Sequence, residues 1–189
     1  MKKILLVDYG SYYFRDVCLC LEEIGVEYLI FHYKDSIENI DAFNICGVVL
    51  TGGPGRVNNP KDPQLDLRLL DFKVPVLGIC YGMQLLMHAL GGRVDSLEEQ
   101  DLGYSEMPLC YCSPINKNIS NPTKVWMAHY DHVTRLAQGF NVYGKTDISI
   151  AMIGNEERRI YAVQYHPEAK KSSDDMMLFR NFIFGICQY

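Results

Sequence analysis

A chain of 189 residues, 48% hydrophobic and 22% charged, suits a single globular domain with a sizeable buried core. Its net charge of −5 and the lack of a basic block argue against a nucleic-acid surface, and no apolar stretch reaches the length of a membrane span. Seven cysteines, an odd number in no secretory context, point to free thiols in a reducing cytosol.

Met1-Lys2-Lys3 leads directly into a strand, Lys3 to Asp8, so no signal peptide is expected. A turn at Tyr9-Gly10-Ser11 precedes an amphipathic helix, Tyr12 to Ile24, stopped by Gly25. Val26 to His32 and Ile45 to Leu50 read as strands, the second apolar enough to be covered on both faces. A glycine-rich loop, Thr51 to Gly55, follows, then a predicted helix over Leu65 to Phe72 and an apolar strand over Val74 to Ile79. Alternating strands and helices predict an α/β fold: a mostly parallel central sheet with helices on both faces. Beyond Gly92 short alternating segments take over, near Glu106–Tyr111, Thr123–Ala128, Phe140–Lys145, Ile148–Ile153 and Ile160–Gln164. They predict a smaller antiparallel β portion in the C-terminal half, closed by a helix from Asp174 to Cys187. No linker interrupts the chain, so residues 1–189 are taken as one domain.

The strand ending at Ile79 meets a helical pattern (Met83, Leu86, Met87, Leu90) with Cys80 at the turn between them. Gly78 and Gly82 flank Cys80 symmetrically, the arrangement of a nucleophile elbow. Such a turn forces the nucleophile into strained dihedrals, and neighbours without a Cβ relieve the crowding. The helix beginning after the sulfur favours a thiolate through its free N–H groups and dipole. The competing reading is an inert buried cysteine, the commoner fate of this residue. Cys110 and Cys112 would share one face of a strand; a zinc pair there lacks a second Cys/His pair of matching spacing, so packing is the preferred role.

A cysteine nucleophile needs a base and an orienting group. Of five histidines, His166 stands out: it ends an apolar strand and is followed by Pro167-Glu168. In an extended segment residues two apart share a face, so Glu168 could hold the imidazole in one tautomer. The alternative is a strand-end histidine beside a solvated glutamate. An oxyanion would find donors in the N–H groups of Tyr81, just after the nucleophile, and of Gly53. The alternative for Thr51–Gly55 is a tight turn, and no Lys-Ser/Thr follows it to make a phosphate loop.

G-I-C-Y-G-M-Q (Gly78 to Gln84), G-G-P-G (Gly52 to Gly55) and Q-Y-H-P-E (Gln164 to Glu168) resemble the three signatures of triad-type, class I glutamine amidotransferases. Tyr81, D-Y-G-S (Asp8 to Ser11), A-L-G-G-R-V (Ala89 to Val94) and V-W-M-A-H-Y-D (Val125 to Asp131) are most similar to the glutaminase subunits of GMP synthetases. The resemblance implies Cys80, His166 and Glu168 as catalytic residues and Gly53 and Tyr81 as oxyanion donors. It implies Gly55, Gln84, His129, Tyr130 and Asp131 as the residues that bind glutamine. It implies no metal and no cofactor in this chain, a cytoplasmic location, and a separate ATP-pyrophosphatase subunit that uses ATP and magnesium to convert XMP to GMP. Ala169 to Ser172 and Tyr12 depart from the usual pattern at positions that bear on partner docking. Glutaminase subunits of anthranilate or aminodeoxychorismate synthase, or a non-catalytic regulatory α/β module, are the alternatives.

Overall fold

A computed structural model of the chain describes residues 2–40 and 44–189. Seven strands form one sheet in the order β2-β1-β3-β4-β9-β8-β7. β1 (Lys3–Asp8), β2 (Tyr28–His32), β3 (Ile45–Leu50), β4 (Val76–Ile79) and β9 (Ile160–Val163) run parallel. β8 (Ile150–Asn155) and β7 (Asn141–Lys145) complete the sheet antiparallel.

The apolar runs of β1, β3, β4 and β9 are buried on both faces, whereas β2, at the sheet edge, leaves Leu29 and Ile30 exposed. Alternate residues of β1 go to opposite layers: Ile4 and Leu6 join one core cluster, Leu5 and Val7 the other. The first layer is filled from α1 (Phe14–Ile24), α4 (Ser173–Arg180) and a π-helical stretch (Asn181–Ile186); the second from α2 (Tyr81–Ala89). α1 ends where Gly25 turns left-handed at φ +80°, letting its N–H and that of Val26 close on Glu22 and Leu21 carbonyls. α4 begins on a capping box between Ser172 and Asp175. The predicted helix over Leu65 to Phe72 is a 3₁₀ stretch, Leu67–Phe72, started by the Asp66 side chain accepting the Arg68 N–H.

The largest departure from expectation is a long hairpin. β5 (Arg93–Met107) pairs with β6 (Thr123–Arg135) as a separate two-stranded sheet, where the sequence suggested short pieces. Its register shifts between Ser96 and Asp101, so part of β5 bulges away from β6. Met107, Val125 and Met127 pack into the first core layer and Val94 and Val133 into the second. The hairpin therefore joins both layers. The strand expected over Glu106–Tyr111 stops at Met107, because Pro108 has no N–H to continue the ladder. Cys110 and Cys112 consequently lie in irregular chain, exposed and free, and neither share a strand face nor pack in the core.

Candidate active site

Cys80 sits between β4 and α2 with φ 50° and ψ −102°, a backbone conformation costly for any residue bearing a Cβ. The elbow is built by close approach. A Cβ on Gly78 would meet the Gly82 carbonyl at 2.8 Å, and one on Gly82 would run into the Leu50 carbonyl oxygen at the end of β3. Tyr81 opens α2, so its N–H has no acceptor within the helix. The Cys80 N–H is held by the Val163 carbonyl, 2.7 Å away, which fixes the elbow to the end of β9.

β9 leads directly to the imidazole. His166 caps the short helix α3 (Pro167–Lys170), and its Nδ1 lies 2.8 Å from Glu168 Oε1. The pair meets as the sequence suggested but not in the way it suggested. The segment is not extended; Glu168 is reached from the first turn of α3, which Pro167 begins with its preset φ. Both residues are buried, Glu168 completely. Burial alone would depress the His166 pKa. The negative charges of a Cys80 thiolate and of Glu168 outweigh it and hold the imidazole well above the ordinary histidine range.

The glycine-rich loop after β3 closes the third side. A Cβ on Gly52 would stand 3.0 Å from His166 Cε1 and 3.8 Å from Cys80 Cβ, and one on Gly53 would be 2.8 Å from the Tyr9 carbonyl oxygen. A Cβ on Gly55 would stand 2.8 Å from the Tyr81 hydroxyl oxygen, so side-chain-free backbone lies directly on the elbow. Strands β3, β4 and β9, adjacent in the sheet, thus deliver loop, thiol and imidazole to one point at their C-terminal ends.

A cavity of about 240 Å³ opens there, lined by Gly53, Gly55, Cys80 and Gln84 and, from β6, by His129, Tyr130 and Asp131. All the residues expected to bind substrate therefore meet Cys80 at one cavity. Their individual states differ. Tyr130 is 51% exposed at the rim. Gln84 uses its amide Nε2 on the Asp131 carbonyl, 2.7 Å, and Asp131 accepts from the Ser96 hydroxyl, 2.7 Å. His129 Nε2 lies 3.3 Å from Asp101 Oδ2 without hydrogen-bond geometry, and neither ring nitrogen has a hydrogen-bond partner among the described residues. Burial, then the nearby His132, pushes its pKa down to about 4, and burial raises that of Asp101.

The structure adds residues the sequence reading passed over. Gln164, fully buried, directs its Nε2 at Cys80 Sγ, 3.6 Å, and accepts from Gln84. A lone amide at the end of an apolar strand, inside the quoted Q-Y-H-P-E run, was the available signal. Gln100, on the bulged part of β5, lines the same cavity, and no local pattern marked it. His88 is exposed on α2 and His32 ends β2, so neither joins the site.

Fold and cluster together define an α/β protein with a cysteine on a nucleophile elbow and a buried histidine–glutamate pair at one strand edge. Residues 5–186 match the family Glutamine amidotransferase class-I, and the chain belongs to that family. A glutamine-hydrolysing GMP synthase of Fusobacterium nucleatum is 41% identical over 191 residues, covering 100% of this chain and 37% of its own. One from Clostridium perfringens is 38% identical, covering 97% of this chain and 36% of its own. The chain thus spans little more than a third of the length of these curated relatives. Among solved structures, a candidate GMP synthase subunit from Thermoplasma acidophilum superposes with a TM-score of 0.84 at 26% identity, covering 100% of this chain and 94% of its own. A glutamine amidotransferase of Thermotoga maritima shares the fold, with a TM-score of 0.74 at 14% identity and coverage of 100% and 99%. No helix among the described residues is long and apolar enough to cross a membrane.

Proposed function

We propose that this chain hydrolyses the side-chain amide of glutamine and delivers the ammonia to a separate ATP-pyrophosphatase subunit that converts XMP to GMP. The observation that carries the reading is the meeting of Cys80, the His166–Glu168 pair and the Gly52–Gly55 loop at one point, beside a cavity lined by Gly53, Gly55 and Cys80. The Cys80 thiolate attacks the amide carbon, and the oxyanion is held by the Gly53 and Tyr81 N–H groups. The His166 imidazolium gives its proton to the departing nitrogen, the C–N bond breaks, and ammonia leaves a γ-glutamyl thioester. Water then attacks, His166 takes its proton, the C–S bond breaks, and glutamate is released. Glu168 orients the imidazole and stays ionised. Gly55, Gln84, His129, Tyr130 and Asp131 bind the amino-acid end of glutamine, Asp131 supplying charge against its ammonium. The activity belongs to cytoplasmic purine nucleotide biosynthesis, with ATP and magnesium bound by the partner.

Support for this particular synthase comes from the GMP synthase relatives, which match this chain along its length at close to 40% identity. The test is steady-state glutamate release by the purified chain, alone and then with an ATP-pyrophosphatase subunit, XMP, ATP and magnesium. Stimulation by these additions supports the reading. Stimulation by a chorismate-using partner instead would keep the glutaminase and overturn the GMP assignment.

A further inference from the structure

His166 has a neighbour that the chemistry above does not use. The ring of Tyr13, just ahead of α1, lies against the imidazole with centroids 4.7 Å apart and planes at 52°. Tyr13 is itself tethered, because Trp126 Nε1 donates to its hydroxyl at 3.3 Å. The same Trp126 accepts the His166 backbone N–H through its carbonyl, at 2.9 Å. Lys170, at the end of α3, places its Nζ 4.2 Å from the centre of the indole ring. One residue of β6 therefore anchors both the backbone of the imidazole and the ring that covers it. Tyr13 and His166 also line a second opening at Cys80, with Tyr12 and Leu102 on its outer side.

We propose that Tyr13 is a positioning residue that fixes the His166 ring and favours its imidazolium form. The proposal rests on the reading of His166 as the proton carrier for glutamine hydrolysis. An aromatic face attracts a cation within about 6 Å of its centre, and the attraction grows when water is excluded. The titratable and charged groups facing His166 are Cys80 from the elbow, Glu168 from α3 and His129 from β6. Asp175 of α4 and Cys20 of α1 face Glu168 in turn. Tyr13 differs from Cys80 and Glu168 in meeting the ring with an aromatic side chain rather than a thiol or a carboxyl group. It stabilises every state that holds the imidazolium, with Cys80 as thiol or as thiolate. Removing the ring therefore makes the imidazolium lose its proton at lower pH.

The experiment is an NMR titration of the His166 Cε1–H in the wild type, Tyr13→Leu and Tyr13→Phe, with glutamate release measured in the presence of the synthetase partner. In Tyr13→Leu the alkaline titration should move down by about one pH unit and glutamate release should fall about tenfold. Tyr13→Phe keeps the ring but loses the hydroxyl that Trp126 holds, so it should recover most of the wild-type titration and shift it no further than loss of the tether alone does. Trp126→Phe removes the tether but leaves both rings, and should shift the titration the same way by less. An unchanged titration in Tyr13→Leu, or in Trp126→Phe if the first variant does not fold by circular dichroism, overturns the proposal. Failure of the glutaminase reading would show separately, as a wild-type Cys80 that a diazo-ketone analogue of glutamine does not label.

Discussion

Two buried histidine–carboxylate pairs place their histidines on the two openings that share Cys80, and they have opposite character. His166 meets Glu168 in a 2.8 Å hydrogen bond and is held well above the usual histidine pKa. His129 meets Asp101 at 3.3 Å without hydrogen-bond geometry, and its pKa is pushed down to about 4. Both rings are desolvated to a similar degree, so burial does not separate them. The negative groups do. His166 faces a bonded carboxylate and the Cys80 sulfur; His129 faces an acid whose own ionisation burial disfavours, and the nearby His132 and His166 lower its pKa further. One imidazole is built to carry a proton, the other to stay neutral.

The comparison breaks most severely at the thiol. Cys80→Ala should abolish glutamate release, a loss on the order of 10⁶-fold in a nucleophile–base unit, while glutamine binding by calorimetry survives. Alanine at each of the other six cysteines should leave turnover largely intact, since none sits on an elbow. Substantial release by Cys80→Ala would refute the assignment.

Within the first pair, His166→Ala should approach the cysteine variant. Glu168→Gln should cost less, about 10⁴-fold, because it spoils the orientation of the base without removing it. Equal losses in the two variants, with both folded by circular dichroism, would show that Glu168 does more than orient.

The two pairs should also leave opposite marks on stability against pH. The unfolded His129 binds a proton below about pH 6.5, and the folded one not until about pH 4. Stability from this residue therefore falls as pH drops through that window, by up to about 3 kcal/mol. The raised pKa of Asp101 opposes part of that loss. His166, with a raised pKa, contributes stability that is fully present below about pH 6.5 and is lost as pH rises through its folded value. Urea denaturation between pH 4 and 9 should show an acid-side decline that His129→Gln weakens and an alkaline-side decline that Cys80→Ala weakens. An acid-side decline identical in His129→Gln would mean that His129 is not neutral in the folded protein.

The smallest expected effect concerns binding. Asp101→Asn should raise the glutamine KM about tenfold and leave kcat near the wild-type value, the pattern of lost uniform binding. A fall in kcat at unchanged KM would place Asp101 in the chemical step instead.

These pairs were unequally legible in the sequence. Cys80 announced itself because a strand-to-helix switch with two flanking glycines has few other physical explanations, and His166–Pro167–Glu168 because an apolar strand ends there. The parallel strands were legible for the same reason: runs such as Ile45–Leu50 have no polar face and must be covered on both sides. Asp101 and the β5/β6 hairpin were not. β5 is largely exposed and carries Glu98, Glu99 and Gln100 in succession through a bulge, which erases the two-residue alternation that marks a strand. Partners of Asp101 lie in β6, so their meeting depends on a register that only the folded hairpin defines. The short helix α3 was hidden too, because four residues carry no periodicity.

The most direct test of the account is covalent trapping. The wild-type chain, with its synthetase partner and XMP, ATP and magnesium, is treated with a diazo-ketone analogue of glutamine and mapped by peptide mass spectrometry. The account predicts one adduct, on the peptide carrying Cys80, suppressed by glutamine and absent from Cys80→Ala. An adduct on another cysteine, or none while glutamine is still being hydrolysed, would contradict it.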